Sequence, residues 1–149
     1  MRAYTLRLYQ ASQAASKTLG TLSQPATALK RISIQYCEIG SNASADNQEE
    51  FWLQRTTAAG TSTAVTPQLR DPADGAASAV AGQAHTVEPT YTSNAIMLSA
   101  FFHQRSTFQW YATPGHDIII PLTNNAGIGI FAEAMGASAN MGAVLEFEE

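Results

Sequence analysis

The stretch of sequence that decides the fold class is Lys30-Arg31-Ile32-Ser33-Ile34-Gln35-Tyr36-Cys37-Glu38-Ile39. Its apolar residues alternate with polar ones, so that every second side chain points to the same side of an extended backbone. This period of two is typical of a β-strand that buries one face and exposes the other. Residues 30–39 therefore predict a half-buried strand.

Further strand-like runs lie on both sides of this segment. They are residues 2–9, 18–22, 50–57, 95–102, 107–112, 117–121, 127–134 and 143–148. Residues 95–102 are almost continuously apolar, which is typical of a strand inside a sandwich, so we expect that strand to be central. In the last run, Leu145 and Phe147 are predicted to face inward and Glu146 and Glu148 to face water. Residues 11–16 have some helical propensity, but a strand pattern follows them at once.

Tight turns separate several of these runs. Residues 58–60, Ala-Ala-Gly, predict one turn. Residues 113–116, Thr-Pro-Gly-His, predict another, because proline presets φ at the second position and glycine accepts a positive φ at the third. Residues 61–92 are punctuated by Pro and Gly and are predicted to be a long connection with one short helix at 76–81. A connection of this length tends to be functional, disordered or ordered by a partner.

These elements together predict an all-β protein. About eight short strands without a long helix or a βαβ rhythm favour an antiparallel β-sandwich or jelly roll, formed as one domain over residues 1–149. The predicted core comprises Ile32, Ile34, Leu98, Phe108, Trp110 and Phe147.

The composition favours a surface made for contact. Charged residues make up 13% of the chain, about half of the ~25% that is usual in soluble domains. Ala, Thr and Ser occupy 53 of the 149 positions. The net charge is −4 and the eight basic residues are scattered, which argues against direct nucleic-acid binding. The sequence predicts neither a membrane span nor a signal peptide.

No residue pattern predicts catalysis, a cofactor or a metal. The three histidines, His85, His103 and His116, are far apart in sequence and none has metal-ligand spacing with an acid. Cys37 is the only cysteine, and its place within a strand predicts a small buried thiol rather than a nucleophile. Gly127-Ile128-Gly129 lacks the helix, third glycine and lysine of a phosphate loop, so it is interpreted as a strand that allows close backbone approach.

Four aromatic residues suggest an alternative hypothesis, that the protein binds a sugar. Trp52, Trp110, Tyr91 and Tyr111 could make a platform for a sugar ring, whereas core packing is favoured for Trp110, which shares a strand face with Phe108. Because adjacent strand residues point to opposite faces, either Phe51 or Trp52 must be exposed or lie in an interface.

The chain from about Lys30 to the C-terminus resembles a known family. The similar segments, in order, are residues 53–61, Thr66-Pro67, Asp71-Pro72, Val87-Glu88-Pro89-Thr90, residues 102–110, residues 112–115, residues 118–121, Gly127-Ile128-Gly129 and residues 145–149. Their order and spacing, from about Lys30 onward, resemble those of jelly-roll head decoration, or cement, proteins of tailed bacteriophages.

The resemblance implies a non-enzymatic virion protein without cofactors. Such a protein would bind the outer surface of the capsid, bridge major capsid subunits and stabilise the head, after synthesis in the host cytoplasm. Its implied partners are the major capsid protein and copies of itself, which we expect to form a homotrimer, but neither nucleic acid nor a membrane. The alternative is a carbohydrate- or receptor-binding module of a head fibre or tail.

Four residues are predicted to contact the capsid or a neighbouring protomer. Leu69, Arg70 and Tyr91 lie in the 61–92 segment, which is too apolar for a solvated linker. Trp52 is the fourth, because either it or its neighbour must face outward. The competing interpretation is that the segment folds back on its own sandwich.

Overall fold

The described part of the chain consists almost entirely of β-strands and turns. A computed structural model describes residues 1–13, 15–27, 29–44, 46–133 and 138–149, with 65% strand and no helix among them. The strands are β1 (Ala3–Gln13), β2 (Lys17–Ser23), β3 (Ile32–Ser41), β4 (Gln48–Ala58), β5 (Thr61–Val65), β6 (Gln68–Leu69), β7 (Val80–Val87), β8 (Thr90–His103), β9 (Thr107–Tyr111), β10 (Ile118–Ile120), β11 (Gly127–Ala132) and β12 (Ala139–Glu148).

The strands form two antiparallel six-stranded sheets. Sheet A has the order β10-β3-β12-β1-β6, and β9 pairs with β3 on the same side as β10. Sheet B has the order β5-β7-β2-β11-β4-β8. This arrangement confirms the predicted all-β, sandwich-like architecture, and the described ranges contain twelve strands where the sequence predicts about eight.

The core lies between the inner faces of the two sheets. In β12, buried residues alternate with half-buried ones along the whole strand, as expected for a strand with one buried face. Phe147 stacks on Tyr4 of β1 with ring centroids 5.3 Å apart, and both side chains are fully or almost fully buried. The predicted inward Leu145 and Phe147 and outward Glu146 and Glu148 are confirmed.

Half of the predicted core residues are only partly buried. Ile32, Ile34 and Phe147 are buried, whereas Leu98, Phe108 and Trp110 are half-buried and pack against the rim of the core. The reason is their position, because β8 and β9 are edge strands that have no neighbour on their outer side among the described residues.

The prediction that residues 95–102 form a central strand is wrong. They belong to β8, which pairs only with β4 and forms one edge of sheet B. A continuous apolar run is typical of a strand buried on both faces, but here Ile96, Met97 and Phe101 are exposed.

The segment 61–92 is not a long connection. It contains β5, β6 and β7 and the first residues of β8, and the predicted helix at 76–81 is absent because residues 80–83 pair with β2. The rest of the segment folds onto its own sandwich, since Arg70 N donates to Ala3 O and Tyr4 OH donates to Gly75 O. Residues 11–16 also lack a helical turn in their described part, because β1 continues to Gln13; residue 14 lies outside the described residues.

Both predicted turns are present. Gly60 has a φ of 71° and Gly115 a φ of 84°, values that favour glycine. His116 N donates to Thr113 O at 2.9 Å, which closes the second turn. The strand predicted over 127–134 is β11, and residue 134 lies outside the described residues.

One buried carboxylate joins three separate parts of the chain. Glu149 Oε1 accepts hydrogen bonds from Ser78 N at 2.7 Å and from Lys30 Nζ at 3.2 Å, and its Oε2 accepts one from Ala79 N at 3.1 Å. The Glu149 side chain is fully buried, whereas that of Lys30 is partly exposed. This carboxylate therefore fixes the segment before β7 against sheet A.

Candidate functional site

Three aromatic side chains meet on the outer face of sheet B. Trp52 of β4 and Phe131 of β11 are cross-strand partners and stack with centroids 4.7 Å apart at 24°. Tyr91 of β8 meets Phe131 edge-on, at 6.0 Å and 87°. All three side chains are half-exposed. We call Trp52, Phe131 and Tyr91 the aromatic cluster.

Hydrogen bonds hold two members of the aromatic cluster in place. Tyr91 OH lies 2.7 Å from Thr18 Oγ1, and Thr18 Oγ1 also donates to a Glu88 carboxylate oxygen. Burial raises the pKa of the Tyr91 hydroxyl, and the Glu88 carboxylate raises it further, while the hydrogen bond with Thr18 lowers it. Trp52 Nε1 donates to Gln54 Oε1 at 3.0 Å. The exposed parts of these rings are therefore preorganised for contact.

Glycines give the cluster its shape. Gly127 and Gly129 alternate with inward-facing residues of β11, so the outer face of this strand has no side chain before Phe131. A Cβ atom at Gly129 would lie 2.5 Å from Tyr91 OH. The Tyr91 ring thus lies directly on the Gly129 backbone, which confirms the interpretation that these glycines allow close approach.

Gly127 and Gly142 make a matched pair of alanine substitutions. A Cβ at Gly127 would lie 2.7 Å from the Leu22 carbonyl oxygen, a backbone atom that cannot rotate away, whereas at Gly142 the nearest atom, Leu8 O, is 3.8 Å away. We expect Gly127→Ala to lower the free energy of unfolding by about 1–3 kcal/mol. Gly142→Ala is expected to raise it by about 0.4–1 kcal/mol, because the unfolded chain loses conformational freedom. Urea denaturation of both variants measures the change in the free energy of unfolding. Equal changes in the two variants would contradict the close packing at Gly127.

A row of buried hydroxyls lies beside the cluster. His85 Nε2 lies 3.4 Å from Thr21 Oγ1, and burial lowers the pKa of His85. Ser23 Oγ and Thr56 Oγ1 flank Gly127 and have no hydrogen-bond partner among the described residues. Thr21 is only 1% exposed and His85 2%. A substrate therefore cannot reach the hydroxyl and imidazole, and the pair is not arranged for nucleophilic catalysis.

An exposed apolar edge lies next to the aromatic cluster. Phe101 is paired with Glu50 and Ile96 with Gln54 of β4, and both side chains lie on the outer face of sheet B. Phe101 is 64% exposed and Ile96 49%. The outer face of sheet B therefore carries exposed apolar side chains at the β8 edge, with Glu50 and Gln54 of β4 beside them.

The strands at the sheet edges share one unusual property. Five strands lie at edges, namely β5, β6, β8, β9 and β10, and none of them contains Asp, Glu, Lys or Arg. Exposed edges of natural sheets are usually protected by charged side chains, especially Lys, or by proline. In this protein the charges of the sheets lie on inner strands instead, for example Arg7 on β1 and Glu38 on β3. The edges thus lack the usual protection against pairing with other chains.

The outer face of sheet A has a shallow depression of about 360 Å³. Gly40 and Gly142, which are cross-strand partners, form its floor. Arg7, Tyr9 and Glu38 are among the residues that line it. Hydrogen bonds from Tyr36 OH and Gln109 Nε2 lower the pKa of the Glu38 carboxyl. The depression therefore has a fixed negative charge on one side.

The four predicted contact residues lie in two different places. Trp52 and Tyr91 are joined through Phe131 on sheet B. Leu69 and Arg70 lie at the β6 edge of sheet A, where Leu69 packs against the core and Arg70 Nη1 donates to Glu146 Oε2 at 2.7 Å. They do not form one continuous surface. The outward position of Trp52, with Phe51 fully buried, agrees with the sequence argument that one of the two must face outward.

Part of this surface is not predicted from the sequence. Phe131 and Phe101 were not singled out, although the alternation Gly127, Gly129, Phe131 against Ile128 and Ile130 is visible in the sequence. The missing information was the register of β11 against β4, which places Phe131 beside Trp52.

The remaining candidate residues are Cys37 and the three histidines. Cys37 is buried, and burial raises its pKa to about 12, so its interpretation as a buried thiol is confirmed. The three histidines lie on β7, β8 and a turn. No three His, Cys, Asp or Glu side chains of the described residues are grouped as metal ligands. The same residues include no helix long and apolar enough to cross a membrane.

Comparison of the chain with models of protein families, with curated proteins and with solved structures gave no match.

Proposed function

We propose that this chain is a non-enzymatic structural protein of a tailed-bacteriophage virion, which binds the outer surface of the capsid and stabilises the head by bridging major capsid subunits. The resemblance of residues 30–149 to head decoration proteins supports the phage assignment. The observation that carries the proposal is the complete lack of charged residues on five edge strands.

Neutral edges suit a protein that works inside an assembly. An isolated molecule would gain solubility from edge charges, whereas a subunit covered by neighbours would have to desolvate those charges at a cost. Interfaces are enriched in aromatic residues, and the outer face of sheet B carries the aromatic cluster. Binding only to the assembled lattice stabilises the head by mass action.

The test is reconstitution on heads that lack this protein. We expect the purified protein to bind in many copies per head, to saturate, and to raise the temperature at which the heads open. Binding in a few copies at the tail or a fibre would contradict the proposal. Failure to bind saturably would also contradict it.

Two variants locate the contact surface. Trp52→Ala changes the aromatic cluster, and Arg70→Ala changes the β6 edge; neither residue is fully buried. If Trp52 is an interface anchor, its removal is expected to weaken head binding by about 2 kcal/mol or more. Unchanged melting temperatures of the free variants show that the fold is intact. If Arg70→Ala weakens head binding and Trp52→Ala does not, the contact lies at the β6 edge instead.

The aromatic cluster also supports a second candidate function, a carbohydrate- or receptor-binding module. Half-exposed rings next to hydrogen-bonding side chains are the groups that stack on sugar rings. Quenching or a shift of Trp52 fluorescence on titration with host-surface glycans, abolished in Tyr91→Ala, would favour this function. The number of copies per virion separates the two candidate functions, because a fibre or tail module is present in few copies and a capsid-binding protein in many.

A further inference from the structure

The regular half of β8 is an open template for another strand. Residues 98–103 pair in unbroken register with residues 48–53 of β4, whereas the register shifts lie between residues 90 and 98. No strand among the described residues pairs with the other side of this segment. Its main-chain donors and acceptors on that side can therefore complete a further antiparallel ladder.

The side chains of β8 favour pairing rather than prevent it. Residues 90–102 contain neither charged residues nor proline, the two features that usually block an edge. Ile96, Met97 and Phe101 are 49%, 43% and 64% exposed. Phe101 alone can bury roughly 100–160 Å² of apolar surface in an interface.

We propose that β8 of one molecule pairs antiparallel with β8 of a second copy along residues 98–103, so that the two B sheets become one continuous sheet. A second copy fits this edge because two uncharged strands place no like charges opposite each other. It also supplies an equally regular and equally apolar segment of the same length.

The charges at the end of β8 determine the antiparallel direction. Asp46 lies 3.7 Å from His103 Nε2 and 3.1 Å from Arg105 Nη1, so the charged groups cluster at the β8–β9 turn. A parallel pair would bring two such clusters together. The antiparallel pair along residues 98–103 instead places each cluster opposite the uncharged residues near Leu98 of the second copy.

This contact has two-fold symmetry and is separate from the trimer contact expected from the sequence. It requires only the chain itself, so it does not depend on the proposed capsid binding. In solution it predicts dimers, or pairs of trimers if the three-fold contact also forms.

The first test is the oligomeric state of a charged-edge variant. We expect the double variant Ser99→Lys, Phe101→Lys to raise the dissociation constant of the two-fold contact about tenfold or more, as measured by sedimentation velocity over a concentration series. Both positions are exposed on the outer face, and an unchanged dichroism spectrum and melting temperature confirm the fold. Leu122→Lys is the control, because Leu122 is 58% exposed but lies in a turn outside β8.

The second test identifies the strand. Cysteine at the two-fold axis lies within disulfide distance of its own copy, and the native Cys37 is buried. We expect Ala100→Cys or Phe101→Cys to give an oxidised, covalent dimer and Leu122→Cys to give none. A wild-type protein without a two-fold contact at its highest soluble concentration would overturn the proposal. So would a two-fold contact that persists unweakened in the double-lysine variant, or dimers that neither cysteine cross-links.

Discussion

Replacing Phe51 with alanine is expected to lower the free energy of unfolding by about 3–5 kcal/mol. The Phe51 side chain is fully buried and contacts Phe102 and Phe108 with centroids 5.8 and 5.0 Å away. These three rings fill the space between the sheets where β8 and β9 form the edges. Truncation therefore leaves a cavity between the sheets, beside the edge strands β8 and β9.

Trp52→Ala is the matched control in the adjacent position. Trp52 lies on the opposite face of β4 and is half-exposed, so its truncation creates no core cavity. Truncation removes the stacking on Phe131. The loss of this stacking lowers the free energy of unfolding by about 0.5–1.5 kcal/mol, in addition to the effect of the lost buried apolar area. Guanidinium denaturation of both variants gives the comparison. Equal losses would show that β4 does not separate a core face from a binding face.

Glu149→Gln is expected to lower the free energy of unfolding by about 3 kcal/mol at neutral pH, because hydrogen bonds to a charged group contribute about 1.5–3 kcal/mol each. The carboxylate accepts hydrogen bonds from Ser78 N, Ala79 N and Lys30 Nζ. An amide keeps the size of the side chain but cannot accept these bonds with both terminal atoms. Lys30→Met, which removes only the partly exposed partner, is expected to have a smaller effect.

The same carboxylate makes stability depend on pH. Burial by itself raises the pKa of Glu149, but the hydrogen bonds from Ser78, Ala79 and Lys30 outweigh it, so the pKa is lowered from 4.5. The stabilisation is therefore complete above that ordinary value and is lost as the pH falls through the lowered value of the folded state. Urea midpoints from pH 7 to about pH 3 should fall less for Glu149→Gln than for the wild type. Parallel curves would contradict the role of Glu149.

The sequence predicted the elements whose local pattern matches their final environment. The alternation in β3 and β12 corresponds to strands with one face on the core. The local pattern does not predict the position of β8 correctly, because a continuous apolar run occurs both in buried strands and in edge strands with exposed apolar side chains. The local pattern also does not predict the strands within residues 61–92. Short Thr- and Ala-rich strands such as β5 depend on pairing with distant residues rather than on local propensity.

The candidate site was predictable only in part for the same reason. The neighbours Phe51 and Trp52 require opposite faces whatever the fold, so an outward aromatic residue followed from two positions alone. The grouping of Trp52 with Phe131 and Tyr91 depends on the register of three strands that are distant in sequence. Leu69 and Arg70 were grouped with Tyr91 only because they are close in sequence.

The pairing order of the strands determines when the protein can fold during its synthesis. Ala3 of β1 pairs with Glu148 of β12, and Lys17 of β2 pairs with Ala132 of β11, so the centres of both sheets must wait until the ribosome has released the last strands. β4 and β8, which β5, β6 and β7 separate in sequence, can pair before β11 is synthesised, and the outer edges of both strands are then open. Folds dominated by such distant pairings form slowly, and neutral, apolar edges are exposed throughout that interval. A chaperone that covers extended apolar segments should therefore increase the soluble yield of this protein.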